Sequence, residues 1–248
     1  MKNDPLYINQ FWENLRAVGL SRYWKTHRIE YRDPLIGDTY WFQRSSEYLP
    51  KRSIYISAGI HGDEPAGPLA CLDLLNDESF FAGWDVYMFP MLNASGFNNI
   101  SRENHRGIDL NRDYKALNSE EVASHISILQ RLPKFDVAIC LHEDWEAEGV
   151  YLYHLNRSGL ESRARVVLSE LARQIPIDRS TVIDGHTADA GIITKTPDVL
   201  DRPDWPEALY LCSYHTDISF TLETPSSREL ALRIEAHVAA VKQVCQLY

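Results

Sequence analysis

The chain has 248 residues, 44% apolar and 24% charged, with a net charge of −10 at neutral pH. This suffices for one packed domain over 1–248 and excludes a disordered, collagenous or coiled-coil chain. No apolar run approaches the ~20 residues of a bilayer span, and a surface this acidic would repel a phosphate backbone, so neither membrane nor nucleic acid is an expected partner.

Ile8, Phe11, Trp12, Leu15 and Val18 recur at helical spacing, which predicts a helix over about 5–19 with Gly19 as its stop. DTYWFQ and RSIYISAGI read as strands, and a helix from about Pro65 to Asn76 follows, with proline in its first turn. WDVYMFPML is the next strand, and residues 93–118 form a polar loop. Asn118 with Glu121 predicts a capping box that opens a helix running to about Leu132. FDVAICLH and GVYLYHL are further strands, and 158–174 reads as a helix. Residues 176–210 read as irregular with short strands, and DISFTLE is a late strand. Ser226 with Glu229 is expected to cap a last helix with Leu230, Ile234, Val238, Val241 and Val244 on its apolar face. This alternation predicts an α/β fold with a mostly parallel or mixed sheet.

Cys71, Cys140, Cys212 and Cys245 are far apart, in apolar contexts and without a CxxC pair, so they read as reduced core residues. With a start, MKNDPLYINQFWENL, too polar for a signal peptide, they favour a cytoplasmic protein.

Open α/β sheets place ligands at the carboxyl ends of strands, and three such ends carry chemistry. His61 and Glu64 stand three apart where RSIYISAGI turns into a helix, with Gly62 relieving crowding between them. His142 ends FDVAICLH, and a His-Glu-His set leaves a fourth position open on a zinc ion, which is the catalytic arrangement. Glu223 ends DISFTLE, where a buried carboxyl is costly unless paired or functional, and it suits a general base. Arg102, Arg106 and Arg112 lie in one lysine-free loop with Asn111, a composition suited to planar recognition of a carboxylate. Each signal is weak alone: a surface HxxE, a core histidine, an ordinary ion pair and a solvated basic loop are the plain alternatives.

Taken together, HGDEPAG, SRENHRGIDLNRD, ICLHED and ISFTLE closely resemble the motifs of the zinc carboxypeptidase family, over residues 61–223. The resemblance implies a three-layer α/β/α sandwich with a mixed, largely eight-stranded sheet. It implies one Zn2+ held by His61, Glu64 and His142, Glu223 as general base and Arg102 polarising the scissile carbonyl, with Arg106 as a substitute. Asn111 and Arg112 would grip the substrate's α-carboxylate, so the expected activity is hydrolysis of a C-terminal amide or peptide bond, murein-type peptides included. Asp113 departs from the asparagine of many members and is expected to put a negative charge beside that clamp. The mobile tyrosine of many carboxypeptidases has no clear counterpart; Tyr210 and Tyr214 are nearest. Aspartoacylase and succinylglutamate desuccinylase, of the same superfamily, share HGxE, an Asn-Arg pair and a later His, which makes cleavage of N-acyl amino acids the rival activity. A binding module that kept the fold is the non-enzymatic alternative. A serine hydrolase is disfavoured because no GxSxG occurs.

Overall fold

Apolar runs alternate by side in the strands that build the sheet, and that alternation decides which helices cover which face. The computed structural model describes residues 5–18, 20–21, 23–49, 51–77, 80–195 and 202–248. In chain order the strands of the main sheet are β1 (Lys25–Ile29), β2 (Thr39–Arg44), β3 (Arg52–Ala58), β4 (Trp84–Phe89), β5 (Val137–Asp144), β6 (Tyr151–Asn156), β9 (Ile192–Lys195) and β10 (Ile218–Pro225). They lie in the order β1-β2-β4-β3-β5-β10-β6-β9. The central strands β4, β3, β5 and β10 are parallel, and β2 and β6 join them antiparallel. A separate hairpin pairs β7 (Val182–Ile183) with β8 (His186–Thr187).

On β3, Ile54 and Ile56 point into one core and Tyr55 into the other; on β5, Ile139 and Leu141 oppose Ala138 and Cys140. The first core is closed by helices α1 (Pro5–Val18), α2 (Ala66–Asn76), α5 (Ala164–Leu171) and α7 (Leu230–Leu247). The second is closed by α4 (Glu120–Leu129) and α6 (Glu207–Tyr214). The result is the expected three layers around a mixed eight-stranded sheet. All four cysteines are free and buried, as their apolar contexts imply. No helix among the described residues is long and apolar enough to cross a membrane.

Several local expectations need correction. β1 carries KTHRI, an edge strand half turned to solvent, so it lacks the apolar signal that marks the inner strands. The loop after β4 holds a short helix, α3 (Ala94–Asn99), started by the Asn93 side chain accepting from the Gly96 N–H. α4 is capped by Ser119, whose Oγ accepts from Val122, and not by Asn118. α5 is shorter than 158–174, because Gly159 has a φ of 74° and Ser162 Oγ then accepts from the Ala164 N–H at the helix start. α6 falls across the end of the stretch expected to be irregular; at eight residues it depends on tertiary anchors more than on propensity. α7 has no side-chain cap, and Ser226 instead donates its N–H to the Asp144 carbonyl. Its most buried side also includes Arg233 and His237, because Arg233 forms a buried ion pair with Glu143. Ile234 and Val238 are only partly buried.

Candidate active site

β3, β5 and β10 are parallel neighbours, so their carboxyl ends open on one edge of the sheet. His142 and Glu223 are direct register partners across β5 and β10. His61 enters from the turn after β3, where a Cβ on Gly62 would stand 2.0 Å from the Gly96 carbonyl carbon and 2.2 Å from the Phe97 nitrogen. Only glycine fits that close approach of α3, and the approach fixes the direction in which His61 and Glu64 project.

The ligand-type atoms of His61, Glu64 and His142 lie within 4.8 Å of one another, and all three residues are buried. Glu64 Oε1 is 2.5 Å from His61 Nδ1, and its Oε2 is 3.0 Å from His142 Nδ1. The other nitrogen of His61, Nε2, lies 3.3 Å from Asp109 Oδ1, so the ring is aimed with Nδ1 toward the cluster. Arg102 clamps Asp109 through Nε (3.1 Å) and Nη2 (3.0 Å), and its Nη1 lies 3.3 Å from His61 Nδ1 and 3.8 Å from Glu64. Behind the cluster, Glu143 accepts from the Ala66 N–H at 2.6 Å and pairs with Arg233, which ties the end of β5 to α2 and α7.

The electrostatics are those of a site organised around positive charge. Burial alone would raise the Glu64 carboxyl, but His61 and His142 outweigh it and hold the pKa at about 2. Burial pulls His61 down, yet Glu64 and Asp109 prevail and raise it to about 9. Desolvation lowers His142. Asp109 is held well below the usual carboxylate range, because its bond to His61 and the charges of His61 and Arg102 outweigh its partial burial. Glu223 goes the other way: burial first, then Glu64, Asp144 and Asp184, push it well above the ordinary value. An imidazole pair converging on one carboxylate is a donor set that zinc and similar borderline cations accept.

A cavity of about 350 Å³ opens from this cluster and is lined by Arg102, Asn111, Arg112 and Glu223. Asn111 Oδ1 accepts the Glu207 N–H at 2.9 Å, at the start of α6, which leaves its amide NH2 as the group able to donate into the cavity. Arg112 spends Nη1 on the Asn111 carbonyl and is otherwise exposed. Asp113 does not burden this clamp. Its buried carboxylate accepts from the Asn118 and Ser119 N–H groups and from Ser119 Oγ, so it fastens the start of α4. Arg106 is exposed and does not line the cavity; Asn104 shapes its turn by accepting from the Arg106 and Ile108 N–H groups. Tyr210 is buried in the second core and Tyr214 is largely exposed; neither lines the cavity.

Other lining residues carried no signal in the reading of motifs. Asp109 sits inside GIDLNRD, but its role at His61 shows only in space. Ser219 and Thr221 precede Glu223 at intervals of two, and strand periodicity alone places them on its face. Tyr151, Tyr153, Asp144, Asp184 and Arg202 come together from separate segments.

Residues 50–239 match the family model of the succinylglutamate desuccinylase/aspartoacylase catalytic domain. The chain belongs to that family. It is the family of the rival activity, within the superfamily to which the carboxypeptidase motifs pointed. Solved structures of the same fold include a candidate metallopeptidase from Shewanella amazonensis, 24% identical, with a TM-score of 0.83 over 97% of this chain and 92% of that one. A candidate carboxypeptidase A from Shewanella denitrificans is 17% identical, with a TM-score of 0.70 over 96% of this chain and 69% of that one. Bovine thrombin-activatable fibrinolysis inhibitor, solved with a tick carboxypeptidase inhibitor, is 14% identical, with a TM-score of 0.67 over 97% and 96% of the two chains. At such identities the likeness is one of fold. No curated protein matches the chain by sequence.

Proposed function

We propose that the chain is a zinc-dependent hydrolase that cleaves the C-terminal amide or peptide bond of a substrate with a free α-carboxylate. One observation carries this reading: a buried His61–Glu64–His142 cluster with Glu223 beside His142, opening into a cavity that Asn111 and Arg112 also line.

His61 and His142 would hold zinc through Nδ1 and Glu64 through its carboxylate, the atoms that already converge. When bound, zinc supplies Lewis-acid polarisation of a carbonyl and makes nearby water more acidic. Positive charge in that cluster also favours the ionised form of Glu223, which burial and three neighbouring carboxylates oppose. Glu223 then takes a proton from the attacking water and passes it to the leaving nitrogen. Arg102, held by Asp109, presents Nη1 to the oxygen on which negative charge grows. Asn111 and Arg112 bind the α-carboxylate, with Asn111 oriented by its bond to Glu207.

The family match favours a second reading, hydrolysis of N-acyl amino acids such as N-acetylaspartate or N-succinylglutamate. The zinc-loaded protein assayed against an N-acyl dipeptide, a murein tripeptide, N-acetylaspartate and N-succinylglutamate separates the two. Peptide turnover is expected to dominate; exclusive turnover of the two acyl amino acids would replace the first reading by the second.

A further inference from the structure

Glu143 follows a proposed zinc ligand, His142, yet its side chain lies on the other face of the sheet. Residues alternate along a strand, so Glu143 shares its face with Ile139 and Leu141 of the first core. Its side chain has no exposure to solvent, and Arg233 of α7, 4% exposed, pairs with its carboxylate. A carboxylate taken this far from water needs such partners, and a guanidinium anchored at a second point supplies a fixed one.

The bonds of Glu143 surround Glu64. Its backbone N–H donates to Glu64 Oε2 at 3.1 Å, the same oxygen that stands 3.0 Å from His142 Nδ1. Its Oε1 accepts the N–H of Ala66, two residues after Glu64, at 2.6 Å. Its Oε2 takes Arg233 Nη1. Arg233 is anchored in turn. Its Nε donates to the Arg228 carbonyl at 2.9 Å, and the Arg228 N–H donates to the carbonyl of Pro225, the last residue of β10, at 3.1 Å. Arg233 therefore links three segments that carry site residues: the end of β5 with His142, the start of α2 after Glu64, and the turn that follows Glu223 and β10. It stands beyond the motif segments, the last of which ends at Glu223.

Stability alone does not account for such a pair, because apolar side chains of similar volume fill a buried space at equal or lower cost. What they lack is direction: they hold neither the Ala66 N–H nor the Glu143 carboxylate in place. We propose that Arg233 is a positioning residue for the metal site, which through Glu143 holds the Glu64 carboxylate and His142 in the arrangement that binds zinc. The inference rests on the reading of His61, Glu64 and His142 as zinc ligands. Arg233 does not line the cavity, so its effect reaches the site through Glu143. Charge and position act here with opposite signs. As a charge, Arg233 repels a cation, and its loss tightens binding. As a positioning group, its loss frees Glu143 and weakens binding.

The test measures zinc affinity by competition with a chromophoric chelator, and the unfolding midpoint with and without zinc. The proteins are the wild type, Arg233→Lys, Arg233→Met and a double variant that combines Glu143→Gln with Arg233→Met. Arg233→Met is expected to weaken zinc binding by about tenfold or more, and Arg233→Lys by a few-fold, since lysine keeps the charge but not the fork. The double variant leaves no lone buried charge, so it is expected to fold even where Arg233→Met does not, and to bind zinc about tenfold more weakly than the wild type. The rise in midpoint on adding zinc should shrink with the affinity, which a purely structural role would not produce. Zinc affinity in the double variant equal to wild type, or tighter binding by Arg233→Met, would overturn the positioning role and leave the zinc site in place. A wild type that takes up no zinc would end both readings.

Discussion

Two clusters of buried histidine and glutamate lie beside β3, one on Tyr55 and Ser57 of that strand and one on the turn that follows it, and they differ in how their polar atoms are linked. In the second core, Tyr114 Oη lies 2.7 Å from His125 Nδ1, His125 Nε2 lies 3.0 Å from Tyr55 Oη, and Tyr55 donates to Glu207 at 2.5 Å. Each link has one donor and one acceptor, so the chain runs in one direction and closes on a carboxylate that also accepts from Ser57 at 2.9 Å. Around His61 and His142 the links instead meet at one point: two ring nitrogens converge on the Glu64 carboxylate, which also accepts the Glu143 N–H. Burial does not distinguish the clusters, since His125 is 1% exposed and His142 4%. Convergence does: the first cluster hands its hydrogen bonds along a line, whereas the second gathers three ligand-type atoms within 4.8 Å of one another, a grouping that could hold one cation.

The largest expected effect comes from removing the shared carboxylate. Glu64→Ala should abolish stoichiometric zinc, measured by elemental analysis after dialysis, and lower activity by about a thousandfold or more. Glu207→Gln, the matching change in the other cluster, should retain one zinc per chain. Loss of zinc in both variants would erase the distinction.

Glu223→Gln sharpens the comparison further, because it leaves the three converging groups untouched. Zinc should remain bound while kcat falls about 10²–10⁴-fold, the usual worth of a general base. Undiminished turnover would remove Glu223 from the mechanism. Arg112→Ala comes next, expected to raise KM by about tenfold or more with a smaller change in kcat, since a carboxylate contact made before the reaction also persists through it. An effect on kcat alone would move Arg112 away from substrate binding.

Most of the sheet was legible because the central strands are buried on both faces and read as continuous apolar runs, as in VAICLH and SFTLE. The site was legible where one short segment carries both ligand type and spacing, as in His61–Glu64 and the 101–113 loop. What escaped depends on distant partners. α6 needs Asn111 at its start, Asp109 gains its role only beside His61, and Asp113 binds Asn118 and Ser119, a helix start that the motif does not reveal. Arg106 was attractive by composition, but the turn organised by Asn104 directs it to solvent.

The smallest predicted effect is thermodynamic and tests whether the chain of polar groups is closed by protons. Burial holds His125 near 3 against an ordinary 6.5, so below about 6.5 the unfolded chain binds a proton that the folded one refuses. His237, buried near the Thr224 hydroxyl, behaves alike, also at about 3. Stability from both is therefore lost as pH falls from 6.5 toward 3. Glu207 acts in the opposite sense. Burial raises it from 4.5 to about 7 despite the Tyr55 and Ser57 donors, so between those values the folded chain keeps a proton that the unfolded chain has released. Its contribution falls as pH rises through that window, partly cancelling the histidines where the windows overlap. Glu207→Gln removes the cancelling contribution. The difference in unfolding free energy, mutant minus wild type, should rise by roughly 1 kcal/mol per pH unit between 4.5 and 7 in urea titrations. Any constant offset from the altered hydrogen bonds leaves this slope unchanged. A flat difference would mean that Glu207 is already ionised in the fold, with the donors of Tyr55 and Ser57 outweighing its burial.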